Sequence, residues 1–112
     1  MEGLADVLVR EAQTKGHVGY LLRNSTFSML ILAGNKNIPL LISNGAIKKA
    51  SRVKNFDIIM TGSEETVLSV IAGKKKLREA MLQKDIALDT TFRKKLLLES
   101  LFCLGKFSYA NP

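Results

Sequence analysis

The side chains able to do chemistry are few and scattered. His17 stands beside Gly16, with no Ser, Asp or Cys at a spacing that would make it a general base. Cys103 lies in the run Leu101-Phe102-Cys103-Leu104. Such a setting is expected to bury the thiol and keep it inert, because a reactive thiolate wants exposed, electropositive surroundings. One cysteine rules out a disulfide framework, and one cysteine with one histidine rules out a Cys/His zinc site. Glu64-Glu65 open a helical pattern, where carboxylates suit the helix dipole. Gly62-Ser63 ahead of them is a place where an anion can bind. Two adjacent glutamates repel a phosphate, however, and the dinucleotide and Walker glycine spacings are absent. No EF-hand loop or carboxylate cluster suggests a metal, and no cofactor is implied. The residues point to a protein that binds and does not catalyse.

Charge narrows what it binds. Lys and Arg number 17 against 10 Asp and Glu, a net charge of +7. Between Ala12 and Phe56 stand Lys15, Arg23, Lys36, Lys48, Lys49, Arg52 and Lys54, with no acidic residue among them. Two further runs, Lys74-Lys75-Lys76 with Arg78 and Arg93-Lys94-Lys95, have Glu79, Asp85, Asp89 and Glu99 nearby. Such a balance suits nucleic acid, an anionic membrane surface or an anionic ligand. Nucleic acid is disfavoured: there is no Trp, aromatics make up 6%, and no groove-reading motif is present.

The elements that must position these residues follow from periodicity. Leu4, Val7, Leu8 and Ala12 form a helical stripe, predicting a helix from Glu2 to Lys15 that stops at Gly16. Phe27 to Ala33 alternates with both faces apolar and reads as a strand. Gly34-Asn35-Lys36-Asn37 is a turn, and Ile38 to Ser43 a second strand whose Pro39, near its start, suggests an edge or a strand end. Asn44-Gly45 signals a type I′ hairpin that pairs Ser43 with Ala46, Ile42 with Ile47 and Leu41 with Lys48. A third strand is expected over Ala46 to Val53 and a fourth over Phe56 to Thr61.

Helical spacing then returns. Thr61 and Glu64 match a capping box, with Ser63 a competing cap, before a helix from Glu64 to Ala72 that ends at Gly73. Helices are expected over Lys75 to Gln83 and Phe92 to Leu104, with a short strand within Asp85 to Asp89 and Thr90 or Thr91 capping the last helix. That last helix is apolar round its axis, so it docks into the core, forms a homodimer interface or lines an apolar ligand cavity. The 112 residues make one domain, burying roughly two-thirds of the open chain's surface. The acidic start, Met1 to Asp6, is unlike a signal peptide, and no apolar run reaches the ~18 residues of a membrane span. A soluble, reduced, cytoplasmic protein is expected.

The order from Phe56 to Leu104, with the strand Phe56-Asp57-Ile58-Ile59-Met60-Thr61-Gly62-Ser63 and the Leu-rich last helix, resembles the sterol carrier protein type 2 family. The first helix and the meander through Met29-Leu30-Ile31-Leu32, Leu40-Leu41-Ile42 and Ala46-Ile47-Lys48 are similar too. The resemblance implies an α+β fold, a five-stranded, mostly antiparallel sheet with helices on one face, over residues 1–112. It implies a non-catalytic carrier that holds a fatty acid, acyl-coenzyme A or phospholipid in a tunnel between sheet and helices.

Positions matching the tunnel wall are Met29, Ile31, Ile42, Ile58 and Met60 from strands, with Leu68, Ile71, Leu77, Met81, Leu97, Leu101 and Phe102 from helices. Lys74, Lys75, Lys76 and Arg78 are candidates for a rim that attracts an anionic head group or an anionic membrane surface. Asp89-Thr90-Thr91 stands where the family commonly has a glycine, and the peroxisomal Ser-Lys-Leu ending is missing, so the chain looks more like a free-standing prokaryotic member. The competing reading is a basic adaptor with a solid core that binds nucleic acid or an acidic protein.

Overall fold

Alternation in the most apolar segment of the chain builds the middle of the molecule. In the computed structural model, β1 (Thr26–Ala33) is the central strand of a five-stranded sheet with β2 (Lys36–Ser43), β3 (Ala46–Lys49), β4 (Ile58–Gly62) and β5 (Ile86–Asp89). The order is β3-β2-β1-β4-β5. Every neighbouring pair is antiparallel except β1 and β4, which run parallel. The helices are α1 (Leu4–Thr14), α2 (Gly16–Leu21), α3 (Glu64–Ile71), α4 (Leu77–Leu82) and α5 (Phe92–Gly105). The structure describes residues 4–14, 16–50 and 55–105. Glu2, Lys15, positions 51–54 and the tail from 106 lie outside the described residues, as do the side chains of Leu4, Ala12, His17 and Leu104.

Pairing puts Phe27, Met29, Ile31 and Ala33 on one face of β1, beside Ile42, Leu40 and Ile38 of β2 and Ile58, Met60 and Gly62 of β4. This face is closed by the helices: Leu8, Val18, Val67, Val70, Ile71, Leu77, Leu98 and Phe102 join it in one buried cluster. The alternate residues look the other way. Ser28 there is held by Asp57, whose carboxylate accepts from the Ser28 N–H at 2.9 Å while the Asp57 N–H donates to Ser28 Oγ at 3.2 Å.

The Asn44-Gly45 hairpin has the expected register, with Ser43 opposite Ala46 and Ile42 opposite Ile47. Both turn residues take positive φ, 52° and 85°, as a type I′ turn requires. The turn is also tied to α2, since Gly45 N–H donates to the Leu22 carbonyl and Asn44 N–H to the Ser25 carbonyl. A Cβ at Gly45 would lie 2.9 Å from the Gly19 carbonyl oxygen.

Several expectations are corrected. Gly16 opens a second helix where a stop before a loop is predicted, because Val18 and Leu22 bury fully in the core and packing outweighs glycine's poor propensity. Pro39 lies in an inner strand. Its carbonyl accepts from Ala50 on the β3 side, so its missing donor faces the same side, where the paired ladder ends at Leu40 and Lys49. Strand pairing of β3 stops at Lys49, and β4 begins at Ile58, leaving Phe56 outside it. Thr61 belongs to β4, and the cap of α3 is Ser63, whose side chain accepts from the Thr66 N–H. At α5 the expected cap is Thr91, whose hydroxyl accepts from the Lys94 N–H.

Replacing Gly45 by Ala should lower stability by about 1–3 kcal/mol, from positive φ and the clash with Gly19 together. Urea unfolding should show it as a lower midpoint at constant slope. An unchanged midpoint would refute the tight seating of the turn on α2.

Candidate ligand-binding groove

The site is assembled by helix α5, which packs on α2, α3 and α4. Its inner side, Leu98, Leu101 and Phe102, is buried, and Leu97 is partly so. Its outer side is not covered: Phe92 is 74% and Leu96 44% exposed. A helix apolar all round has been given cover on one side only.

Between the C-terminal half of α5 and the α3–α4 segment lies a groove of about 600 Å³. Buried Val70, Leu77 and Phe102 line it. Its other lining residues include Lys75, Lys76, Arg78, Glu79, Leu82, Glu99, Ser100 and Cys103. Leu82 is 76% exposed, an apolar side chain with no apolar cover.

The local sequence explains this shape. Gly73 takes φ of 79° just after α3, which turns the chain sharply into the basic run. Helix α4 is only six residues long and begins at Leu77, so Lys75 and Lys76 stay in the connection beside the groove. Lys75 pairs with Asp85 at 3.1 Å. Arg78 reaches α5 and pairs with Glu99 at 3.3 Å. Both pairs are solvent-exposed and contribute at most about 1 kcal/mol. Among the described residues Lys76 has no ion-pair partner, which leaves its charge available to a ligand.

Of the anticipated wall, Leu77 and Phe102 line this groove, and of the anticipated rim, Lys75, Lys76 and Arg78. Lys74 stands next to it without lining it. Met29, Ile31, Ile42, Ile58 and Met60 are packed on the closed face of the sheet, each 1% exposed or less. Ile71 and Leu101 are buried with them, and Leu68, Met81 and Leu97 pack against that core. No strand residue lines the groove.

Sequence reasoning missed Val70, Gly73, Glu79, Leu82, Glu99, Ser100 and Cys103. Part of the signal was present: Glu99, Ser100 and Cys103 fall on one side of α5 by helical spacing. The expected burial of Cys103 is corrected. The thiol is exposed, because the apolar face that packs inward is the one carrying Leu98, Leu101 and Phe102. Among the described residues no group of three His, Cys, Asp or Glu side chains could hold a metal ion, and no helix is long and apolar enough to cross a membrane.

No protein-family model and no curated protein sequence matches the chain. Solved structures do. The UbiJ-SCP2 ubiquinone synthesis protein superposes with a TM-score of 0.72 at 12% identity, over 96% of this chain and 92% of that one. Sterol carrier protein 2 of Aedes aegypti, solved in complex with the C16 fatty acid palmitate, gives 0.61 at 15% identity, over 91% and 96%. The inverting sec-alkylsulfatase Pisa1 of Pseudomonas gives 0.63 at 18% identity, where the chain covers 14% of that enzyme's length.

A thiol reagent should titrate one equivalent of Cys103 in the native protein, at close to the rate of an unhindered thiol. A thiol that reacts only in denaturant would contradict its place at the groove.

Proposed function

Starting from a fold shared with sterol carrier protein 2, we propose that this chain is a non-catalytic, intracellular lipid-binding domain. Its ligand would be a fatty acyl chain or a similar amphiphile held in the groove between α5 and the α3–α4 segment. The observation that carries this reading is one cavity with buried Val70, Leu77 and Phe102 on its wall and cations beside them. Its volume of about 600 Å³ falls within the roughly 300–1,000 Å³ usual for small-molecule sites. The palmitate complex of the Aedes aegypti protein supports the ligand class.

The physics divides between tail and head. Each methylene taken from water contributes about 0.8 kcal/mol, so ten supply about 8 kcal/mol before the loss of ligand freedom. Micromolar binding needs about 8 kcal/mol net, so the head-group contact decides whether it is reached. Lys76, which has no ion-pair partner among the described residues, is the rim side chain suited to a carboxylate or phosphate. The adjacent exposed Leu82 and the Lys75–Asp85 and Arg78–Glu99 pairs would frame the opening. A prokaryotic, cytoplasmic setting accords with this reading, and catalysis is not needed by it.

Displacement of a fluorescent fatty acid tests the proposal. Palmitate should compete at micromolar concentration and slow the labelling of Cys103. Ser100→Trp, which fills the groove from an exposed position, should weaken binding at least tenfold, and Lys76→Glu about two- to fivefold. No displacement at tens of micromolar ligand, or full affinity in Ser100→Trp, would overturn the assignment.

A further inference from the structure

The face of the sheet turned away from the helices has an arrangement that the groove does not explain. It presents Leu30 and Leu32 from β1, Pro39 and Leu41 from β2, and Ile59 from β4. None of these is buried, and Leu41 is 37% exposed. The described helices all join the core on the opposite side. Leu30 is the middle of the patch, paired laterally with Pro39 on one side and Ile59 on the other.

Charge distinguishes this face from the rest of the surface. The chain carries +7, and copies of it repel one another over most approaches. On the open face the only charged residues of the described strands are Lys48 and Asp89. Lys48 opposes Leu41, and Asp89 opposes Ile59, which sets both on the same face as the apolar patch. They lie on β3 and β5, the two edge strands, with β1 midway between. Both are exposed, and neither has an ion-pair partner among the described residues. With Asp57, which stands beside Ser28 just ahead of β4, the face is apolar at its centre, with a cation on its β3 side and two carboxylates on its β4–β5 side.

We infer that this open face is the contact surface of a homodimer, built on a two-fold axis that runs along β1. Rotation about that axis lays β2 over β4 of the second copy and β3 over its β5. Leu30 and Leu32 then meet their own counterparts on the axis, Pro39 meets Ile59, Leu41 comes level with Asp57, and Lys48 reaches toward Asp57 and Asp89 of the second copy, twice. An axis across the strands would instead lay β3 over β3 and β5 over β5, bringing like charges together, so the charges select the first arrangement. Stacked sheets accommodate such a contact at ~10 Å separation.

The contact is small. Five strands at ~4.8 Å spacing and ~20 Å of strand length give roughly 500 Å² per copy, below the ~800 Å² of a standard interface. A weak dimer follows, with dissociation in the range of tens to hundreds of micromolar.

Sedimentation equilibrium of the whole protein should show a mass rising from one chain toward two as concentration passes through about 100 μM. Leu41→Glu should hold it at monomer mass while leaving the unfolding midpoint nearly unchanged. Lys48→Glu and Asp89→Lys should each weaken the dimer about fivefold or more, and the two together should restore it. Monomer mass at every concentration up to ~1 mM would overturn the inference. So would failure of the double reversal to rescue, or a dimer that survives Leu41→Glu and is lost in Leu96→Glu, which would place the contact on α5. Binding of this face to anionic phosphatidylserine vesicles without self-association would overturn it as well. Fatty-acid displacement is unaffected by these variants, so the fate of the groove is read separately.

Discussion

The two-residue repeat of β1 decides what each part of the molecule faces. Phe27, Met29, Ile31 and Ala33 point at the helices, while Ser28, Leu30 and Leu32 point away. Because β1 is the central strand, its neighbours inherit the same division through register, and a slip of one residue would exchange the two faces of the whole sheet. The close fit at Gly62 shows how little slack remains. It pairs with Ala33 and Ile86, and a Cβ there would come within 3.0 Å of both the Asp85 carbonyl oxygen and Ile86 Cγ1.

The same division sets where α5 goes. With the closed face already occupied by α1, α2, α3 and α4, the last helix rests mainly on other helices. Its partners α3 and α4 are short, eight and six residues, and are joined by a turn at Gly73. Short helices leave gaps that a long one bridges, and the groove is such a gap. The unfilled space therefore lies between helices, above a sheet core that is packed solid at Met29, Ile31, Ile58 and Met60.

Local signals were legible in the sequence, and those that depend on neighbours were not. Asn44-Gly45 specified its turn and register because two positive-φ residues admit little else. Alternation over Phe27 to Ala33 revealed the strand and its two apolar faces. Pro39 suggested an edge or a strand end: β2 is an inner strand, yet Pro39 stands just past the end of its ladder with β3, and only that neighbour decides between the two. Cys103 misled because α5 is apolar on every side, so periodicity could not choose the buried one. Residues of the groove were found where they belong to a charge run, as Lys75, Lys76 and Arg78 do. They were missed where only three-dimensional adjacency joins them, as with Val70 and Ser100.

Charge pairing sorts by layer in a related way. Lys36 with Glu64, at 2.6 Å, and Lys49 with Asp6 tie strand residues to helices on the closed side. Lys75 with Asp85 and Arg78 with Glu99 frame the groove. Lys48 follows Ile47 and precedes Lys49, yet it faces the other way and has no ion-pair partner among the described residues. The groove and the open face thus use separate residues on opposite sides of the sheet. Short connections join them: β4 to α3 through Ser63, α4 to β5 through residues 83–85, and β5 to α5 from Asp89 on the open face to Thr91 at the start of the helix that lines the groove. A link becomes a coupling only through an element with two arrangements, and the Thr91 cap and the β4–β5 ladder hold the two ends of the last of these connections in place. Occupancy of the groove and use of the open face should therefore add as independent free energies.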